Sequence, residues 1–166
     1  MDKALREKLE GGEFRNVEEA DSKRMRAVKG KGNRTTELLF RLTLVRAGIK
    51  GWTLHPKGIP GKPDFYFPTE EVAVFTDGCY WHGCPRCGHV PKVNNAFWSA
   101  KLDRTRRRDV EKVAELEAIG VRCVRLWEHE LKEDRRGCLA RVRALLSEER
   151  RPTCPGDPRA KQADLD

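Results

Sequence analysis

Residue types that bind metals are concentrated in the middle of the chain, in the segment Asp77–Gly88 with the sequence DGCYWHGCPRCG. The segment contains three cysteines, Cys79, Cys84 and Cys87, together with a histidine and two large aromatic residues. Thiolates at such short spacings usually hold a tetrahedral Zn²⁺ ion. A zinc ion bound here would fix the polar and aromatic side chains that lie between its ligands.

A tetrahedral zinc site needs a fourth ligand, and three histidines are candidates. His82 and His89 are close along the chain, whereas His129 lies at the end of a later strand. A distant ligand would connect the loop to the sheet, which is how a structural metal stabilises a fold, so we predict His129. The other cysteines are not predicted to be ligands, and the alternating pattern around Cys123 favours a small core residue there: Cys123, Cys138 and Cys154.

Composition limits the classes of protein to which the chain can belong. Its 166 residues are enough for one domain with a core, and a net charge of +8 indicates a polyanionic partner, with nucleic acid ahead of a merely soluble basic surface. No apolar run approaches the roughly 18 residues of a membrane span, and the charged N-terminus does not read as a signal peptide. Six cysteines in such a chain favour metal binding and free thiols over disulfides. We therefore expect a cytoplasmic protein.

The chain is predicted to form one α/β domain over residues 34–149, with a mixed sheet flanked by helices. Residues 1–33 are polar and basic and are predicted to be a flexible N-terminal arm, and the segment Ser22–Arg34 is either solvated or in contact with DNA. The Pro-rich residues 150–166 are predicted to be a disordered tail.

The spacing of apolar residues predicts the helices and strands. In order, we expect a helix from Thr35 to about Gly48, a strand Trp52–His55, a hairpin of Asp64–Phe67 and Val72–Phe75, a helix Asn95–Ile119, a strand Val121–Trp127 and a helix Cys138–Ser147. The apolar face of the first helix is predicted to carry Leu38, Leu42, Val45 and Ile49. A hairpin turn centred between Thr69 and Glu70 would place Asp64 opposite Phe75, beside the start of the cysteine cluster.

An acidic residue lies on the apolar stripe of the long helix. Asp109 is seven residues from both Leu102 and Leu116, and seven residues rotate a helix by only about 20° from a whole number of turns. Because a buried unpaired charge is costly, Asp109 needs a partner. His82 is one candidate, since a carboxylate can orient an imidazole as a base. A salt bridge to a neighbouring arginine is the alternative.

These groups indicate hydrolysis of a phosphodiester. Asp64, at the start of a strand, would bind a Mg²⁺ ion that neutralises the phosphate, and His82 would activate water. Asp77 would add a second oxygen ligand or support the site from behind the ligands. Glu37 lies in the first turn of a helix, where compensation of the helix dipole also explains an acid.

Large aromatic residues lie close to these polar groups. Tyr80 and Trp81 stand between metal ligands, and Trp98 is in the first turn of the long helix. Aromatic wedges between base steps open a duplex, whereas most large aromatics are core residues. Both readings stay open for Tyr80, and Trp81 and Trp98 favour contact with DNA.

Five motifs occur in a consistent order between residues 22 and 132. They are Gly61-Lys-Pro-Asp-Phe65, Val74-Phe-Thr-Asp-Gly-Cys-Tyr-Trp-His-Gly-Cys-Pro85, Phe97-Trp-Ser-Ala-Lys-Leu102, Arg108-Asp109 and Leu126-Trp-Glu-His-Glu130. This order resembles the very short patch repair (Vsr) endonucleases of bacteria. The resemblance implies a restriction-endonuclease-like core of the PD-(D/E)xK type and nicking of DNA 5′ to the thymine of a T·G mismatch.

The resemblance also implies roles for individual residues. Asp64 matches the Mg²⁺-binding aspartate and Thr76 the residue whose carbonyl assists it, while His82 matches the base, Asp109 its associated acid and Glu37 a helix glutamate near the site. The implied zinc ligands are Cys79, Cys84, Cys87 and His129. The implied intercalating residues are Tyr80, Trp81 and Trp98. The arm that reaches into DNA would contribute Met25, Arg26, Lys29, Lys31 and Arg34.

Two departures from the family pattern affect the site. The family pattern has histidine where this chain has Asp77, so an extra acid would strengthen metal binding there in place of a cation. Cysteine and histidine are also distributed differently over the zinc positions. The implied cofactors are a catalytic Mg²⁺ and a structural Zn²⁺. The implied partners are double-stranded DNA with a T·G mismatch and mismatch-repair proteins, with the chain acting as a monomer.

Two other functions compete with this one. A related restriction-type nuclease would cut matched DNA and would have less need of an aromatic wedge. A non-catalytic zinc module that binds DNA would have no need of Asp64, His82 and an inward Asp109.

Overall fold

The computed structural model describes residues 3–9, 11, 13–15, 17, 19, 23 and 32–148. The helices are α1 (Lys3–Arg6), α2 (Glu37–Arg46), α3 (Asn95–Ala118), α4 (Glu128–Glu133) and α5 (Arg135–Ser147). The strands are β1 (Thr53–Leu54), β2 (Phe65–Phe67), β3 (Val72–Asp77) and β4 (Arg122–Trp127). The α/β class, the mixed sheet and the predicted order of elements are confirmed. The helices α1 and α4 were not predicted from the sequence.

The four strands form one sheet in the order β1-β2-β3-β4. The first two pairings are antiparallel, and β3 pairs with β4 in parallel. In the hairpin, Phe65 faces Val74 and Phe67 faces Val72, which is the predicted register. Extending it by one residue brings Asp64 opposite Phe75, as predicted.

The sheet separates two apolar clusters, because successive side chains of a strand point to opposite faces. On one face, Phe65 and Val74 pack with Phe40 and Leu44 of α2 and with Val142 of α5. The other face packs against α3 through a second set of residues, which includes Tyr66, Ala73, Phe75 and Leu116. All six residues of β3 are buried, so this strand rigidly supports the residues at its end and the cysteine loop that follows.

The predicted apolar face of α2 is wrong for three of its four residues, because only Ile49, which follows the helix, packs against the core. The side chains of Leu38, Leu42 and Val45 are on the exposed side, at 38%, 43% and 58% relative exposure, whereas Phe40 and Leu44 are at 0%. Apolar residues surround this helix, so their spacing alone does not select a face. The aromatic rings of the sheet determine which face of α2 is buried, since Phe40 packs edge-on against Phe65 at 5.4 Å between centroids.

Part of the N-terminal segment packs on the domain. Leu9 is 4% exposed and lies in a cluster with Phe97 and Trp98. The ring of Phe14 meets the ring of Phe97 at 4.8 Å between centroids. Apolar contacts with α3 therefore hold Leu9 and Phe14 against the domain.

Several sequence predictions lie outside the described residues, namely the tail 150–166 with Cys154 and the arm residues Met25, Arg26, Lys29 and Lys31. The domain boundaries at residues 33 and 150 stay predictions. Among the described helices, none has the length and apolar character needed to cross a bilayer.

Candidate active site and metal centre

The four residues predicted to bind zinc come together in space. The Nδ1 atom of His129 lies 3.2 Å from the sulfur of Cys79 and 3.5 Å from those of Cys84 and Cys87. Tetrahedral zinc with bonds of about 2.0–2.3 Å places its ligand atoms roughly 3.5 Å apart, so these separations fit a zinc ion. The two alternative histidines lie elsewhere, since His82 contacts Asp109 and His89 lies beside Tyr80.

The parallel pairing of β3 with β4 explains why a ligand fifty residues away reaches the cysteine loop. Cys79 and His129 each follow one of these strands, and the carboxyl ends of parallel strands lie at the same edge of a sheet. The loop is also tightly wound, because Cys84 donates from its N–H to the carbonyl of Cys79 at 2.9 Å and Gly88 donates to that of Cys84 at 2.8 Å. A Cβ atom on Gly88 would lie 2.5 Å from the Cys84 carbonyl oxygen, so only glycine fits there.

Asp64 is anchored to the end of β3 by Thr76. Its Oδ2 atom accepts hydrogen bonds from the Thr76 N–H at 2.7 Å and from the Thr76 hydroxyl at 2.8 Å. Burial raises the pKa of Asp64 despite these two bonds, and the charges of Glu37 and Asp77 raise it further. A cation bound at this carboxylate would relieve both burial and repulsion.

Glu37 and His55 complete a second group of possible metal ligands with Asp64. One ligand atom from each of the three residues lies within 4.8 Å of the others. The N–H of Gly32 donates to Glu37 Oε2 at 2.7 Å, and His55 Nε2 lies 3.1 Å from the same oxygen. The sequence predicts a strand that ends at His55 but indicates no role for this residue. The available signal for a role of His55 in the site was its position opposite Asp64 across the β1–β2 pair. There the His55 N–H donates to the Asp64 carbonyl at 3.1 Å.

His82 and Asp109 form the predicted pair. Their Nδ1 and Oδ2 atoms are 2.7 Å apart, and Asp109 is 8% exposed. The alternative partner is present as well, since Arg125 reaches the same Oδ2 atom at 3.1 Å. Burial alone would raise the pKa of Asp109, but the hydrogen bond to His82 and the charges of Arg125 and His82 outweigh it, so the pKa is lowered.

Asp77 belongs to the same network as His82, Asp109 and Arg125. Its Oδ2 atom lies 2.6 Å from Nε of Arg125, and its Oδ1 atom lies 3.5 Å from Nδ1 of His82. It is not a member of the group formed by Glu37, His55 and Asp64. The predicted use of Asp77 as a metal ligand therefore receives no support from the geometry, which favours its other predicted use, supporting the site from behind the ligands. Arg125 was not foreseen, although an arginine in the middle of β4, between Val124 and Leu126, was a signal for it.

The three predicted wedge residues form one aromatic cluster. The ring of Tyr80 lies 5.0 Å from Trp81 and 5.9 Å from Trp98. Trp98 is only 7% exposed, because Leu9 and Phe14 pack against the same cluster. Lys101, which sequence analysis missed, places its Nζ atom 4.7 Å from the Trp98 ring centre, and burial lowers the pKa of this lysine.

Arg34 is exposed near the start of α2, and of the five arm residues predicted to contact DNA it is the one that lies among the described residues. Its exposure leaves it available to a polyanion. Its role stays a prediction.

Comparison with known proteins identifies the class. A sequence profile of the family "DNA mismatch endonuclease Vsr" matches residues 16–87. A type II nicking enzyme of Xanthomonas oryzae pv. oryzae, V.XorIIP, is 39% identical over 125 residues, which cover 74% of this chain and 88% of the relative. The DNA mismatch endonuclease Vsr of Escherichia coli strain K12 is 30% identical over 131 residues, which cover 77% and 76% of the two chains.

These similarities, together with the mixed sheet and its clustered acids and histidines, define a DNA endonuclease. The chain belongs to the Vsr family of DNA mismatch endonucleases. The family resemblance drawn from the five sequence motifs is thus confirmed, while the PD-(D/E)xK core type stays a prediction.

Proposed function

We propose that this protein nicks one strand of duplex DNA 5′ to the thymine of a T·G mismatch, by Mg²⁺-dependent hydrolysis of the phosphodiester. The observation that carries the proposal is the arrangement at the end of β3. Thr76 holds Asp64, and the next residue, Asp77, lies against His82. A carboxylate for a cation and an imidazole for a water molecule are therefore attached to neighbouring positions of one rigid strand.

Oxygen ligands dominate the proposed magnesium site, as this hard cation requires. Asp64 and Glu37 would hold the ion, with the Thr76 carbonyl assigned by the family resemblance. When bound, Mg²⁺ supplies charge neutralisation at the phosphate and the leaving oxygen. The raised pKa of Asp64 shows that the carboxylate alone is poorly stabilised at this position, which supports a cation there.

His82 would act as the general base. Its Nδ1 atom faces Asp109 at 2.7 Å, and a ring that donates from Nδ1 leaves the lone pair of Nε2 for a proton from water. Arg125 lies against both Asp77 and Asp109. This arginine pairs with both carboxylates and fixes the one that orients His82.

The aromatic cluster is proposed to provide mismatch selectivity. Base–aromatic stacking contributes about 1–3 kcal/mol per base, and a mismatched step is more easily opened than a paired one. Tyr80 and Trp81 retain partly exposed surface. Insertion of Trp98 would require Leu9 and Phe14 to move away from it, because these residues pack on its cluster.

The sulfur cluster is proposed to hold a structural zinc ion. Its four ligands complete a tetrahedron, which leaves no position for a substrate. The ion would connect the loop that carries His82 and the aromatic rings to the start of α4. The proposed mismatch-repair partners, the monomeric state and the cytoplasmic location rest on the family resemblance and the composition.

A nicking assay tests the whole proposal. Labelled duplexes that are matched, carry T·G or carry another mismatch are incubated with Mg²⁺ or with EDTA. We expect a single-strand nick 5′ to the thymine of T·G only, and only with Mg²⁺. Equal cutting of matched DNA would indicate a restriction-type nuclease instead, and binding without cutting would indicate a zinc module.

Binding of Trp81→Ala to the same duplexes tests the wedge. Loss of one stacking ring should weaken binding to the T·G duplex by roughly 5- to 150-fold, while binding to the matched duplex changes little. Affinities measured by fluorescence anisotropy at one fixed salt concentration provide the comparison. An equal loss on both duplexes would assign Trp81 a general structural role and would remove the basis for the proposed selectivity.

Asp109→Asn is expected to slow nicking by about 10²- to 10⁴-fold without loss of DNA binding. The amide lacks the charge that stabilises protonated His82 and no longer fixes its tautomer. Single-turnover rates at saturating enzyme measure the effect. The exposed Asp103 of the same helix provides the matched control, since Asp103→Asn should retain the wild-type rate; a full rate for Asp109→Asn would exclude the pair from the reaction.

A further inference from the structure

His55 lies beside two carboxylates, Glu37 and Asp64, that could share a cation with it. Its Nε2 atom and Glu37 Oε2 are 3.1 Å apart, and one ligand atom from each of His55, Glu37 and Asp64 lies within 4.8 Å of the other two. Neighbouring ligands on an octahedral cation with bonds of about 2.1 Å are separated by roughly 3 Å. The 3.1 Å contact between His55 and Glu37 matches two neighbouring ligands of such an ion, and Asp64 lies close enough to contribute a third.

The backbone and the surroundings hold this imidazole in place. His55 has a φ angle of +45°, which an L-residue adopts only at a cost. Its N–H is tied to the carbonyl of Asp64 at 3.1 Å. The side chains of His55 and Glu37 are only 22% and 10% exposed, so a cation bound between them would have little contact with bulk water.

We propose that His55 is a nitrogen ligand of the cation held by Asp64 and Glu37, and that it gives the site a preference for first-row transition cations such as Mn²⁺ over Mg²⁺. This inference rests on the proposed function, because it concerns the same cation site. Imidazole is a better ligand for transition cations, whereas Mg²⁺ prefers oxygen atoms and retains several waters. The competing role for His55 is to position Glu37 through a hydrogen bond alone.

Binding of Mn²⁺ to the zinc-loaded full chain without DNA separates these roles. Mn²⁺ is the weakest binder of the transition series, so it leaves zinc on the thiolates. Pulsed electron paramagnetic resonance detects a ¹⁴N nucleus bonded directly to Mn²⁺. We expect this coupling in the wild type, its loss in His55→Gln and its retention in His82→Gln and in His89→Gln, whose histidine is exposed near the other cluster.

Affinities add a second readout. Free Mn²⁺ measured during titration should show binding about tenfold or more weaker in His55→Gln, whereas the affinity for Mg²⁺, measured by competition, should change less than about threefold. Gln retains an N–H group that can donate to Glu37. Equal losses for both cations, or a wild type without ¹⁴N coupling, would overturn the assignment.

The failure of this inference can be distinguished from failure of the proposed function. A wild type that nicks T·G duplexes with Mg²⁺ but shows no ¹⁴N coupling would leave the nuclease intact and reject His55 as a ligand. A wild type with the coupling that nicks no duplex would confirm the ligand and reject the nuclease.

Discussion

Asp64→Asn is expected to abolish nicking and yet leave the folded protein at least as stable as the wild type. The carboxylate is proposed to hold the cation that neutralises the phosphate, a contribution of several kcal/mol, so the rate should fall by about 10³-fold or more. The amide keeps an oxygen atom that can accept both hydrogen bonds from Thr76. The fold should therefore survive the change.

The stability expectation follows from the direction of the pKa shift. Burial raises the pKa of Asp64 above its value in the unfolded chain, so the ionised group opposes folding at neutral pH, and this penalty disappears as the pH falls through the raised pKa. The neutral Asn has no such penalty. In Mg²⁺-free buffer at pH 7, its melting temperature should equal or exceed that of the wild type, and the difference should shrink in acid.

Asp103→Asn is the matched control for this experiment. It removes the same charge from an exposed position and should change neither nicking nor stability. DNA affinity, measured in parallel in Mg²⁺-free buffer, should be retained by both variants. Retained nicking by Asp64→Asn would reject the metal role, and a large fall in melting temperature would mean that the lost activity reports unfolding.

Local rules predicted the parts of the site that depend on strand pairing and helical period. The position of Asp64 followed from the hairpin register, and the inward direction of Asp109 followed from a seven-residue repeat. The choice of His129 required only that a distant ligand stabilises more than a local one. The first two inferences use contacts between neighbours in sequence or across one strand pair, and the third uses only the general stabilising effect of a long-range metal bridge.

The unpredicted parts depend on packing between distant elements. Leu9 is buried only because α3 presents Phe97 and Trp98 to it, which no spacing in the N-terminal segment reveals. Arg125 reads as an interruption of a strand until Asp77 and Asp109 are seen on either side of it. His55 becomes a candidate ligand only when Glu37, eighteen residues earlier in the chain, is folded against it.

Cys84→Ser is expected to release the bound zinc and lower the melting temperature by about 10 °C or more. Cys84 is 2% exposed and lies at the centre of the ligand cluster. Structural zinc contributes up to about 10–16 kcal/mol of apparent binding energy to folding, and in a domain of this size 1 kcal/mol corresponds to roughly 2–4 °C. Calorimetry and a metal assay on the purified protein measure both quantities.

Cys123→Ser separates loss of a metal ligand from loss of a cysteine. Cys123 is half-buried on β4 and outside the cluster, so this variant should retain zinc and melt within a few degrees of the wild type. A chelator should lower the melting temperature of the wild type and of Cys123→Ser to that of Cys84→Ser, and should leave Cys84→Ser unchanged. Cys79 lies three residues before His82 on the same loop. Zinc loss should therefore displace His82 and also reduce nicking. A zinc-free Cys84→Ser protein with the melting temperature of the wild type would contradict the structural role of the metal.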